Sequence, residues 1–379
     1  MMHRQAKPGR RTLPWLLIAA ALALIPLIVA CGSPAAQPAP APVEVTRVVE
    51  VTREVPVEVT RAAPESSGND DPGKLVIYSG RSESLVDPII QQFKGATGID
   101  VQVKYAGTSA LAATLLEEGG NSPADVFYAQ DPGGLAAVSE MMVALPEDVI
   151  AMTPEWARSA DGSWVGITGR ARVVVYGTDD LTEADLPDDL WGFTEPRWKG
   201  RVGWAPTNGS FQAMVTALRA GWGEERTEQW LRAMLDNDVQ DYPKNTPQVA
   251  AAASGEIDVG LVNHYYLYRF IAEEGEDFPA RNAHLRAAGP GAIVLVSGVS
   301  ILESADNPEN AEAFVRFLLS KVAQQYFAGS TFEYPMVEEV RPSVLLTPLD
   351  DIGQPDITLA DLADLAGTQA LLQEVGALP

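Results

Sequence analysis

From Lys74 onward the chain alternates between two kinds of apolar pattern, and this alternation limits the available folds more than any other feature. Lys74 to Ser79 is a short run containing Leu75, Val76 and Ile77, closed by Gly80, and reads as a buried strand. Leu85, Ile89, Ile90 and Phe93 then recur at helical spacing, and Pro88 suits that helix if it lies in the first turn. Gly98 stops the helix, after which Ile99, Val101, Val103 and Tyr105 alternate as a strand. Thr108 is placed to cap a helix carrying Leu111, Leu115 and Leu116, ended by Gly119 and Gly120. Asp125 to Tyr128 is a further short strand. The order β-α-β-α-β implies a mostly parallel sheet covered by helices.

Two later runs, Arg172 to Tyr176 and Ala292 to Ser297, are expected to be strands that cross between lobes. Between them lies a second α/β stretch, with helices expected over Phe211 to Ala220 and Glu224 to Leu235 and a strand over Ile257 to Val262. A chain that leaves one lobe, builds a second and returns gives a two-lobed clamp, and ligands of such folds sit at strand ends between the lobes. About 300 residues are available for this, enough for two lobes each with its own core. The expected division is 74–171 and 296–346 for the first lobe and 172–295 for the second. The Asp-, Leu- and Ala-rich end, 347–379, is expected as helices packed on the second lobe.

The N-terminus has a different character. His3, Arg4, Lys7, Arg10 and Arg11 form a basic head, and Trp15 to Ala30 is almost wholly apolar. That is short for a bilayer span but right for a signal-peptide core over residues 1–30. It ends at Cys31, the single cysteine of the chain. This resembles a bacterial lipoprotein signal, which implies lipidation of Cys31 and anchoring to the outer face of a membrane. Residues 31–73 read as a linker: Pro-rich at first, then repeating Glu-Val-Thr-Arg at Glu44, Glu50 (as Glu-Val-Thr-Arg again) and Glu58. One cysteine excludes a disulfide framework or a Cys-based metal cluster. With 51 Asp plus Glu against 27 Lys plus Arg, the net charge is −24, so a nucleic-acid partner is not expected. No P-loop and no nucleophile–base pair stands out, so the chain does not read as an enzyme.

Five local motifs stand in order: Tyr78-Ser79-Gly80-Arg81; Ser122 to Tyr128; Gly169 to Tyr176; Ala205-Pro206-Thr207-Asn208-Gly209-Ser210-Phe211; and Gly255 to Asp258 leading to Asn263-His264-Tyr265-Tyr266. From Lys74 to the C-terminus the chain resembles the bacterial ferric-ion-binding proteins of ABC importers. The resemblance implies an α/β, two-lobed periplasmic-binding-protein fold of type II, with mixed, mostly parallel sheets and interlobe hinge strands. It implies Fe³⁺ as cargo, an ABC permease and its ATPase as partners, and a monomer. The family's tyrosine pair falls on Tyr265 and Tyr266, and phenolate oxygen suits a hard trivalent cation. The family's co-bound anion, carbonate or phosphate, falls on Thr207, Asn208, Gly209 and Ser210, where a helix start favours negative charge. Asn245 and Asn263 match positions that hydrogen-bond the anion, and Arg170 matches a cleft position that offsets its charge. In some relatives a His follows the first turn and a Glu the third strand; here those positions are Ser82 and Gln130. The first lobe would then contribute hydrogen bonds from Arg81, Ser82, Gln130 and Asp131. His264 is expected to turn away from the site, with Tyr268 and Arg269 orienting the phenolates. Competing readings are an organic cation, such as thiamine or a polyamine, held by aromatics and carboxylates, or an oxyanion held by the helix start.

Overall fold

In the computed structural model, residues 72–287 and 289–379 are described; the expected signal segment, Cys31 and most of the linker lie outside them. The first lobe opens with strand β1 (Lys74–Ser79), helix α1 (Glu83–Thr97), strand β2 (Asp100–Tyr105), helix α2 (Thr108–Glu118) and strand β3 (Val126–Ala129). β1 pairs in parallel with both β2 and β3. Pro88 sits in the second turn of α1, not the first. Gly107, not Thr108, is the N-cap of α2. The Thr108 hydroxyl instead accepts the Gln130 backbone N–H across the lobe, at 3.0 Å. Two short helices follow, α3 (Pro132–Ala136) and α4 (Glu147–Ile150).

Strand β4 (Trp164–Gly177) then runs for 14 residues, buried from Trp164 to Tyr176. Beyond it come β5 (Val202–Trp204), α5 (Gly209–Trp222), α6 (Glu224–Asp236), β6 (Gln240–Asp241), α7 (Asn245–Ser254), β7 (Val259–Asn263), α8 (Tyr265–Glu274) and β8 (Ala280–Ala283). Strand β9 (Val294–Ile301) returns the chain to the first lobe, followed by α9 (Pro308–Leu318), α10 (Lys321–Ser330) and β10 (Tyr334–Pro335). The last helix, α11 (Leu365–Glu374), places Leu372 in the second-lobe core and hydrogen-bonds α5 through Thr368 and Thr216, 2.7 Å apart.

The strand order is β2-β1-β3-β9-β4-β7-β5-β6, with β8 and β10 also on β4. Both outer sides are parallel, and the pairings around β4 and β9 are antiparallel. The first half of β4, Trp164 to Ala171, pairs with β9, and the second half, Arg172 to Gly177, pairs with β7 and β8. One strand is therefore shared by both lobes. The second lobe is filled by large aromatics: Trp204 meets Phe211 and Trp230 edge-on at 5.3 and 6.3 Å, and Phe193 packs on Trp198. Each fully buried ring contributes roughly 2–3 kcal/mol by area. The cores are not separate. One apolar cluster runs from Leu75 and Val86 through Val165, Ile167, Val173 and Val175 to Val249 and Leu267, because one face of β4 carries apolar side chains through both lobes. Among the described residues no helix is long and apolar enough to cross a membrane.

Candidate metal and anion site

The opposite face of β4 is polar where the lobes meet. Side chains two residues apart on a strand share a face, and Thr168, Arg170 and Arg172 do so here, at 0, 0 and 1% exposure. Burying guanidinium groups is costly unless each finds acceptors. Arg172 finds them on the second lobe: its Nη2 donates to the Leu261 carbonyl at 2.8 Å and its Nη1 to Asn263 Oδ1 at 3.0 Å, with longer contacts to Ser210 and Asn245. Burial pulls its pKa down to about 9, though the neighbouring Tyr265 and Tyr266 act to raise it. Arg170 turns the other way and donates to the Gln130 backbone carbonyl. Its Nε and Nη1 have no hydrogen-bond partner among the described residues, and burial, followed by the like charge of Arg81, lowers its pKa.

Arg81 leaves the β1–α1 turn and is also fully buried. Its Nη2 donates to both oxygens of Glu333, at 2.6 and 2.7 Å. Glu333 also accepts from the Thr168 and Thr331 hydroxyls, both at 2.9 Å, so its lone pairs are well used. Burial is the strongest single influence on Arg81 and works against its charge, but Glu333 with Tyr265, Tyr128 and Tyr266 together outweigh it and the net shift is upward.

Tyr265 and Tyr266 form the first turn of α8, directly after β7. Both rings are buried, at 0 and 6% exposure, with centroids 4.2 Å apart. The Tyr265 hydroxyl has no hydrogen-bond partner among the described residues, and the Arg81 guanidinium carbon lies 6.0 Å from its ring. Burial first, then the neighbouring Tyr265, pushes Tyr266 well above the ordinary phenol pKa of ~10. His264 is held out of the site. Its Nδ1 accepts the Ala171 N–H at 3.0 Å and its Nε2 meets the Phe332 carbonyl at 2.8 Å, which places the proton on Nε2. Burial lowers its pKa to about 3.

The expected anion residues assemble around the start of α5. Asn208 is its N-cap, accepting from Ser210 N–H at 3.1 Å and Ser210 Oγ at 2.6 Å. Asn245 Nδ2 donates to Asn208 at 3.3 Å and to Ser210 at 3.4 Å. The first-lobe residues divide. Gln130 faces Asn208 across the lobes at 3.5 Å, and Asp131 is buried beside Gly209, whereas Ser82 is exposed; on the second lobe Thr207 is exposed as well. Tyr268 donates to the Leu345 carbonyl at 2.9 Å and so points away from the tyrosine pair it was expected to orient.

Residues 121–351 match the family model described as bacterial extracellular solute-binding protein. The chain belongs to this family. It is 34% identical over 307 residues to the major ferric iron-binding protein of Neisseria meningitidis serogroup B, covering 80% of this chain and 92% of that one. It is 33% identical to the Fe(3+)-binding periplasmic protein of Serratia marcescens, over 76% of this chain and 86% of the relative. Its fold superposes on the crystal structure of iron-bound HitA from Pseudomonas aeruginosa with a TM-score of 0.77 at 33% identity, covering 80% of this chain and all of the other. These relatives are binding proteins.

Within this solute-binding fold, three residues of the cluster escaped the sequence reading: Arg172, Glu333 and Tyr128. The alternation of Arg170 with Arg172 on one strand was a usable signal for the first. Glu333 lies 252 residues from Arg81, and no local pattern links them. Tyr128 is fully buried, its hydroxyl has no hydrogen-bond partner among the described residues, and burial raises its pKa to about 12 against the lowering effect of Arg81 and Arg170. No group of three His, Cys, Asp or Glu able to hold a metal occurs among the described residues. A separate groove of about 1060 Å³, lined by residues including Trp156, Trp164, Ile293 and Leu359, does not include the tyrosine pair.

Proposed function

We propose that this chain is the capture component of a ferric-iron importer, binding Fe³⁺ between its lobes through Tyr265 and Tyr266 together with a small oxyanion, carbonate or phosphate, at the start of α5. The observation that carries this reading is two adjacent buried tyrosines within the electrostatic reach of Arg81 and Arg172. A buried phenol does not ionise by itself. A trivalent cation supplies the missing driving force, since bound metals displace protons from their ligands. The guanidinium groups then steady the phenolates and the anion. Asn208, Ser210, Asn245 and Asn263, with Arg172, form a hydrogen-bonded wall around the anion seat, while Gln130 and Asp131 approach from the first lobe. Closure of the lobes about β4 and β9 would follow binding. Delivery would be to an ABC permease driven by its ATPase, with the protein held at the outer membrane face through Cys31.

The test is a ferric titration of the metal-free protein followed by visible absorbance. A phenolate-to-iron charge-transfer band should appear and saturate, and Tyr265→Phe combined with Tyr266→Phe should abolish it. A band of unchanged intensity in the double variant would sink the assignment.

A further inference from the structure

Asp131 holds an unused acceptor in a place where one is expensive. It is 1% exposed and forms the N-cap of α3, with Oδ1 accepting from Gly134 N–H at 3.0 Å. Its Oδ2 has no hydrogen-bond partner among the described residues. That oxygen lies across the lobes against Gly209, the first residue of α5: a methyl group on Gly209 would stand 2.6 Å from it. Arg170 is close enough to act on Asp131 electrostatically, yet among the described residues the two share no hydrogen bond, and the Arg170 Nε and Nη1 nitrogens are also without partners. Leaving a buried polar atom unpaired costs roughly 1–3 kcal/mol, so these atoms together describe a missing partner.

The missing partner has a definite chemistry. Arg170 and the start of α5 present donors, which suit deprotonated oxygens of an anion. Burial raises the Asp131 pKa, against the lowering effects of the Gly134 N–H and Arg170. In its ionised form Asp131 Oδ2 presents only an acceptor, which suits an oxygen that carries a proton. We propose that Asp131 makes the anion seat selective for an oxyanion that retains a proton, of the hydrogenphosphate or hydrogencarbonate type, over fully deprotonated oxyanions such as sulfate. This rests on the ferric reading above and assigns Asp131 the role of choosing the co-bound anion. The mechanism of rejection is the pairing of two acceptors: a sulfate oxygen facing Oδ2 has no hydrogen to share, and both lose water without compensation.

The experiment supplies metal-free protein with ferric iron from nitrilotriacetate and follows the charge-transfer band while one oxyanion is titrated. Hydrogenphosphate is compared with sulfate and with monofluorophosphate, a dianion of similar shape that lacks the proton. For the unaltered protein, hydrogenphosphate should support the complex at a concentration at least about tenfold below either competitor, a factor worth ~1.4 kcal/mol. In Asp131→Asn the amide keeps an acceptor for Gly134 and turns a donor to the seat, so the preference should shrink to within about threefold. Equal support by monofluorophosphate in the unaltered protein, or an unchanged preference in Asp131→Asn, overturns the proposal while leaving the tyrosine ligands standing. Absence of the band with every anion would overturn the ferric reading and this proposal with it.

Discussion

On the second-lobe wall of the site, Asn208, Ser210 and Asn245 hydrogen-bond among themselves, and Ser210, Asn245 and Asn263 accept from Arg172. On the first-lobe wall, Arg81 and Glu333 neutralise each other while Asp131 leaves an oxygen free. The second wall is a network in which Asn208, Ser210, Asn245 and Arg172 each have more than one partner, so losing one contact leaves others, while the Asn263 side chain bonds Arg172 alone among the described residues. The first wall depends on one ion pair buried at 1 and 0% exposure; the Thr168 and Thr331 hydroxyls also donate to Glu333, but among the described residues Arg81 has no second carboxylate to balance its charge. A site assembled this way keeps its ligand-bearing half in shape whether or not the lobes meet. The approaching half carries the concentrated charge.

The sharpest test of this contrast is Glu333→Ala. It strands Arg81 as an uncompensated buried cation and should cost about 3–5 kcal/mol in urea unfolding. Adding Arg81→Met should recover much of it, and a single variant as stable as the parent would erase the distinction between the walls. His264 comes next, because it ties the tyrosine turn to the Phe332 carbonyl beside Glu333. Its pKa falls from 6.5 to about 3 on folding. The folded state therefore refuses a proton that the unfolded chain accepts below pH ~6.5. Stability from this group is complete above that pH and is lost as pH falls toward 3, on the order of 3 kcal/mol by pH 4. His264→Gln should flatten that part of the pH–stability curve; parallel curves would show that the histidine is not the link. Asn263→Ala removes one acceptor of Arg172 but leaves the Leu261 carbonyl, Ser210 and Asn245, so about 1–2 kcal/mol is expected in the same unfolding measurement. A loss equal to that of Glu333→Ala would mean the second wall is no more redundant than the first. Gly209→Ala should move stability by less than ~1 kcal/mol. Its methyl would meet Asp131 Oδ2, so ferric affinity measured by competition with a chelator should fall, and Asp131→Ala should relieve the clash and recover only part of it, since the contact of Asp131 with the anion is lost as well.

The legible and illegible parts of the molecule divide along similar lines. Strands β1 and β2 and helices α5 and α6 were readable because their apolar side chains repeat at the period of the element. Tyr265, Tyr266 and the Asn208 to Ser210 turn were readable because they form contiguous motifs. Pro88 and Thr108 were misplaced by a turn and by a residue, since helix starts depend on contacts such as Thr108 with Gln130 that no local pattern records. The sequence offered Arg170 alone as the cation of the anion seat; the structure sets Arg170 beside Gln130 and adds Arg172 on the Ser210–Asn245–Asn263 wall. Which of two alternating arginines faces which lobe depends on how β4 is divided between its partners, and that is a property of register rather than of composition.

Because a single strand lies in both sheets, neither half of this molecule is a module that can be lifted out. A fragment ending before residue 164 would lack β9 as well as β4 and leave β3 without its β9 neighbour, and one beginning after residue 177 would leave β7, β8 and β9 without β4. Tags, circular permutants and split reporters therefore belong elsewhere in the chain, and a proline introduced within β4 would be expected to unravel both ends of the protein together.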